Sequence, residues 1–416
     1  MAGKQSIHPT KSLPECSMQS RMINGKNDLS LLTQNTVILH VECLIGDEGV
    51  DALTHSLIRL QRLTTLDLTI RRITDRGIEN FSNFIANSIK VTSLFLRFNA
   101  VSKIGAEHLG KALRSNKNLV EFGIECIQCD LIDYIIGGEG AVHITNSLAY
   151  NSVKVLSLLQ CDIDDEHFKE IVRGFSKSCH LSYVNLSRNR IGSKSLILLG
   201  DHLTNISNLS ILILDSNVQT DHLGMSALFH SFINNNTLKQ LSVKSCQIHP
   251  TSLSYLGKLL TENSTLRVLN LAGNSGLSEE GARMLSRGLE NNSVLQALDV
   301  SYCNLSEDAV ARITLALKSN SRLNKLYLDY NQIMLGALHE IAETLTHNKS
   351  LKLLSLLGCP VNENAMWVML QALNANNTLE ILRLDKTQDR SDQLYDLFLE
   401  ILLKKNKKIA QLSKMK

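Results

Sequence analysis

One frame, L-x-x-L-x-[LV]-x-x-[NC], returns along this chain at a nearly fixed spacing, and such a recurrence leaves few folds open. Two neighbouring copies show it best. Leu266 opens LRVLNLAGNSGLSEEGARMLSRGLENNSV, and Leu295 opens LQALDVSYCNLSEDAVARITLALKSNSR. Frames open at Val91, Leu119, Val153, Leu181, Leu209, Leu238, Leu266, Leu295, Leu323, Leu351 and Leu379, and most steps are 28 or 29 residues. Each frame runs into an amphipathic segment and then a polar turn.

The frame has a physical reading. In a short strand Leu269 and Leu271 point the same way, because side chains alternate. Leu266 reaches the same interior from the preceding turn. Asn274 stands at the bend, where its amide can bond backbone groups of neighbouring turns that would otherwise be buried without partners. Leu277, Ala282, Met284, Leu285 and Leu289 follow with the spacing of a helix that has one apolar face. One strand and one helix cannot bury both apolar faces alone. Stacked copies can, with parallel strands on one side and helices on the other. Helices are wider than the strand spacing, so the stack should bend into an arc with the strands inside. The expected fold class is α/β, a curved solenoid.

These residues resemble the ribonuclease-inhibitor class of leucine-rich repeats, found also in NOD-like receptors and Ran GTPase-activating proteins. The bend residues Cys246, Asn274, Cys303, Asn331 and Cys359 alternate as in the two-flavour repeat of the ribonuclease inhibitor. The resemblance covers about residues 36–388 and implies a horseshoe with its strands on the concave face. It specifies fold far more sharply than function.

In chain order, residues 1–28 are polar and read as a disordered tail. Residues 29–388 read as the solenoid, opening with an N-terminal cap over residues 29–35. Degenerate frames follow at Thr36 and Leu63, the second with Arg71 at its bend. The repeat opening at Leu119 takes 34 residues, and an insertion is expected near residues 128–142 within CIQCDLIDYIIGGEG. After the last frame, with Thr387 at its bend, Leu394, Leu397, Phe398, Ile401 and Leu402 predict a C-terminal capping helix. A basic tail, KKNKKIAQLSKMK, follows within residues 389–416.

Composition removes several function classes. Lys and Arg number 43 against 40 Asp and Glu, a net charge of +3. That balance gives no general pull toward nucleic acid or membrane, and no apolar run approaches the roughly 20 residues a membrane span needs. Nine cysteines, four of them at separate bends (Cys161, Cys246, Cys303, Cys359), suit a reducing compartment. Asn185 begins an Asn-x-Ser/Thr on a predicted strand, where a glycan would cover the inner face. A cytoplasmic monomer is expected.

Chemistry-bearing motifs are sparse. The chain has no phosphate loop, no H-E-x-x-H and no G-x-S-x-G. Cys126 and Cys129 form a C-x-x-C without a second pair, so only His143 and Cys161 could complete a zinc site. No cofactor and no enzyme activity are expected. The Ran-activating resemblance supplies the enzyme-class alternative, with Arg71 and Arg72 as the cations it would need. Stand-alone repeats in this Asn/Lys/Ser-rich style also resemble secreted effectors of intracellular bacteria such as Legionella. That resemblance implies translocation into a host cytoplasm and a host protein as partner; the alternative is an endogenous cytosolic adaptor of a eukaryote.

The expected role is therefore a protein-binding scaffold. If the strands line the inner face, Asp299, Tyr327, Ser355 and Arg383 form one row across it, and Asp329 and Asp385 belong to the next. With Tyr302 and Tyr330 they make the main candidate contact surface, since tyrosines among charges are typical of binding hot spots. Phe95, Arg97 and Phe98 form a second, earlier cluster.

Overall fold

The computed structural model describes residues 20–23, 35–43, 46–70, 73–98, 101–126, 136–218, 220–359 and 363–384. Among them, fourteen strands form one parallel sheet in strict sequence order. They are β1 (Ser20–Ile23), β2 (Ile38–Cys43), β3 (Thr65–Ile70), β4 (Ser93–Phe98), β5 (Glu121–Cys126), β6 (Val155–Leu159) and β7 (Tyr183–Asn185). Then come β8 (Ile211–Ile213), β9 (Gln240–Ser242), β10 (Val268–Asn270), β11 (Ala297–Asp299), β12 (Lys325–Tyr327), β13 (Leu353–Leu356) and β14 (Ile381–Leu384). Helices α1 (Gly46–Ile58) to α12 (Glu363–Ala375) alternate with the strands from β2 onward. The expected leucine-rich repeat solenoid is thus the fold observed. Packed helices need 8–10 Å between axes and strands about 4.8 Å, so the layers differ in length and the sheet takes the inside of the bend.

The register shows the frame at work. Leu269 lies opposite Leu241 on one side and Leu298 on the other, and all three are fully buried. The same column runs from Leu39 to Leu382, so each repeat completes the core of its neighbours.

Asparagines at the bends join the repeats. Asn274 is fully buried. Its amide nitrogen donates to the Val243 and Leu271 carbonyls at 2.9 and 2.8 Å, and its oxygen accepts from Cys246 N and Ile248 N at 2.9 and 3.2 Å. Asn189, Asn217 and Asn331 make similar bonds. At the alternate bends, the Cys246 and Cys303 thiols donate to Leu214 O and Leu271 O of the preceding repeat. Burial pushes both thiols up to about 12, which keeps them protonated as donors at neutral pH.

A second asparagine ladder runs along the other edge, where the sequence offered only polar turns. Asn263, Asn292, Asn320, Asn348 and Asn376 each sit just after a helix. Asn320 donates to Leu289 O and Asn292 O of the preceding repeat and accepts from Arg322 N and Leu323 N. Carboxylates join the helices at their other ends. Asp75, in the first turn of α2 (Asp75–Asn87), accepts from Ser102 N and Gly105 N at the start of α3 (Lys103–Ser115). A Cβ at Gly105 would stand 2.6 Å from that carboxylate, which explains the glycine.

Two boundaries differ from the sequence reading. Ser20–Ile23, assigned to a disordered tail, pairs in parallel with β2, whose edge hydrogen-bonding groups it satisfies. Residues 137–142, placed in the insertion, belong to α4 (Gly137–Ser147), whose Ala141 and Ile144 are buried. Gly137 enters that helix with φ +65°, the left-handed region that favours glycine. Residues 128–135 of the insertion, the remainder of the polar tail and the C-terminal capping helix lie outside the described residues, as do Arg71, Arg72, Cys129 and Asp385.

Candidate functional site: the open face of the sheet

Side chains that point away from the core form rows across the strands. One row runs His40, Asp67, Phe95, Gly123, Ser157, Asn185, Ile213, Ser242, Asn270, Asp299, Tyr327, Ser355 and Arg383. The late part matches the row expected from sequence. Ser355 is fully buried beneath its neighbours, whereas Asp299, Tyr327 and Arg383 are partly exposed.

Two residues further along, Asp215, Ser301 and Asp329 form the bend end of the face. Asp215 accepts from Ser242 Oγ and Lys244 N. Asp299 accepts from Ser301 N at 3.0 Å, and Asp329 from Leu357 N at 2.8 Å. Burial pushes all three carboxyls above the usual carboxylate range. Among the described residues, none of the three has a cation within ion-pair distance. Tyr327 lies between Asp299 and Asp329, and burial raises its phenol too.

Raised carboxyls have a consequence for stability. The folded form holds these protons more tightly than the unfolded one, so ionising the groups opposes folding. Their contribution improves as pH falls through the folded values toward the unfolded one. The Asp215→Asn/Asp299→Asn/Asp329→Asn variant should therefore gain less stability, or lose more, than the parent on acidification from neutral pH. Urea midpoints measured across that range would check this. Equal pH slopes for the two chains would contradict it.

At the rim, Tyr302 and Tyr330 stack with ring centroids 4.3 Å apart and planes at 13°. They remain 53% and 47% exposed. Both have left-handed backbones, with φ of 56°. The strain belongs to the repeat rather than to these two residues, since Gln160, Arg188, Ser216, Ser245, Gly273 and Gly358 share the conformation at the equivalent position. Gly358 is required for a second reason: a Cβ there would fall 2.3 Å from the Tyr330 ring. The sequence reading selected both tyrosines but not their stacking, which arises because consecutive bends place equivalent residues in one column.

The early cluster is tied into the sheet by ion pairs. Arg97 is not a free anchor. Its Nη1 lies 2.6 Å from Asp67 and its Nε 2.8 Å from Glu125, so carboxylates on both flanking strands hold it. His40 also meets Asp67, at 3.3 Å. The signal was available in the spacing: Asp67 and Glu125 fall in the frames on either side. Phe95 packs over Gly123, where a Cβ would come within 2.5 Å of its ring. The Phe98 side chain lies outside the described residues.

Metal chemistry gains little. Cys126 and Cys161 are buried with their sulfurs 3.6 Å apart, and burial raises Cys161 well above the ordinary thiol value. Among the described residues, Asp164, Glu166 and His167 can bring donor atoms within 4.8 Å of one another. Arg190 already pairs with Asp164 at 3.4 Å and with Asp162. No helix among the described residues is long and apolar enough to cross a membrane.

Comparison with known proteins agrees with this architecture. The family described as Leucine Rich repeat matches residues 177–200, 234–257 and 262–286. NACHT, LRR and PYD domains-containing protein 14 of Mus musculus is 28% identical over 251 residues, covering 60% of this chain and 22% of that one. Leucine-rich repeat-containing protein 45 of Gallus gallus is 40% identical over 78 residues, covering 18% of this chain and 12% of that one. The chain therefore spans less than a quarter of either relative. Among solved structures, that of the Rad7 and Elc1 complex in yeast aligns with a TM-score of 0.54 at 16% identity. The match covers 82% of this chain and 81% of that one.

Proposed function

We propose that this leucine-rich repeat solenoid is a protein-binding scaffold whose partner docks on the open sheet face between β8 and β14. Tyr302, Tyr327, Tyr330, Asp329 and Arg383 are its anchors. The observation that carries this reading is the combination of a stacked, half-exposed tyrosine pair with partly desolvated carboxylates that have no ion-pair partner among the described residues. Aromatic groups beside charges already stripped of water lose little more on docking, which is how binding energy becomes concentrated in a few residues. The relatives from mouse and chicken favour an endogenous adaptor over a secreted bacterial effector.

The test begins with a partner isolated by affinity capture and then purified. Tyr327→Ala and Asp329→Ala should each weaken its binding by about 2 kcal/mol, roughly 30-fold. Titration calorimetry measures this directly. If both variants bind as tightly as the parent, the partner docks elsewhere and the assignment fails.

A further inference from the structure

The edge of the sheet where the strands begin carries a charge pattern that the anchors above do not use. Backbone bonds order this edge. Arg267 N donates to Lys239 O, Gln296 N to Arg267 O, Asn324 N to Gln296 O, and Lys352 N to Asn324 O. Lys239 and Arg267 are therefore adjacent, each immediately before its strand, β9 and β10. Lys325 begins β12, and Arg322 and Lys349 stand in the turns before β12 and β13. All five are exposed. None has an ion-pair partner among the described residues, whereas Lys352 is held by Glu380 at 3.0 Å. Glu262 and Glu290 end the helices α8 (Leu253–Glu262) and α9 (Glu279–Asn291) behind this edge, and neither pairs with the five cations.

We infer that the partner of the sheet face carries an acidic segment, which lies along the strand-start edge from β9 to β13 against Lys239, Arg267, Arg322, Lys325 and Lys349. The inference rests on the docking reading above and specifies the partner's chemistry. Five strands at about 4.8 Å make an edge of about 19 Å, which an extended segment of about six residues would cover. Protein fits better than nucleic acid. A single-strand binding groove interleaves cations with exposed aromatic rings on which bases stack. Tyr302 and Tyr330 lie at the opposite, bend end of the face, and Tyr150 lies near β6, three strands away from β9. The whole-chain charge of +3 is also small for a nucleic-acid binder.

The experiment uses fluorescence anisotropy with the full chain and three labelled probes of similar length: a Glu-Ser repeat peptide, a Lys-Ser repeat peptide and a single-stranded oligonucleotide. The Glu-Ser peptide should bind at low salt and weaken as salt rises. Its affinity should fall at least about tenfold in Lys239→Glu/Arg267→Glu. It should stay within about twofold in Lys169→Glu/Arg173→Glu, which reverses two exposed cations on α5 (Phe168–Lys177). No binding of the acidic peptide, equal loss in both variants, or tighter binding of the oligonucleotide would overturn the inference. Binding of the Lys-Ser peptide that Asp329→Asn abolishes would also overturn it, while leaving the docking face in place. The docking reading itself fails separately, through Tyr327→Ala and Asp329→Ala against the purified partner.

Discussion

Asn274→Ala should destabilise the protein by about 3–5 kcal/mol, measured as a shift of the urea midpoint. The fully buried side chain makes five hydrogen bonds, the longest, to Ala272 O, at 3.4 Å. Its loss leaves the amides of Cys246 and Ile248 without an acceptor and removes a donor from the Val243 and Leu271 carbonyls. Each orphaned buried group costs about 1–3 kcal/mol, whereas a satisfied hydrogen bond contributes only about 1 kcal/mol net. The orphaning therefore dominates, and a cavity penalty adds to it. Asn292→Ala is the internal comparison. That residue serves the helix-end ladder near the surface, where water can reach part of the broken network. Its cost should be nearer 1–2 kcal/mol. If both substitutions cost the same as a change at the exposed Asn291, the bend ladder would not hold the repeats together.

The contrast between these two asparagines shows where sequence reasoning reached. The bend ladder was legible because Asn274 and its counterparts stand at a fixed offset after an apolar pair, where a strand must turn. The helix-end ladder was not, because a polar turn such as E-N-S, S-N-S, N-N-S or N-N-T reads equally well as a solvated loop. Only the stacking of repeats reveals that an asparagine of the turn points inward. The same limit applied to the open face. Alternation placed Tyr327 and Arg383 in their row, since that depends on strand register alone. The pairing of Arg97 with Asp67 and Glu125 was overlooked, because it depends on residues about one repeat away on each side. In a repeat fold the relevant neighbour is one period distant, and a local reading overlooks it.

The interior leucines allow a sharper test of the same principle. Leu269→Ala should cost about 2–5 kcal/mol, because the side chain is fully buried and flanked by Leu241 and Leu298. The position matters beyond the lost methyl groups. Stability in a stacked array is a sum of repeat terms and nearest-neighbour interface terms, and β10 contributes to two interfaces. A lesion there weakens the coupling between the repeats before and after it. The urea transition should therefore broaden as well as move, with the two halves beginning to unfold separately. The same substitution at Leu384, on β14, involves only one strand partner among the described residues. It should lower the midpoint less and leave the transition sharp. Equal shifts at both positions, with no loss of cooperativity at Leu269, would mean that the repeats do not depend on one another for their core.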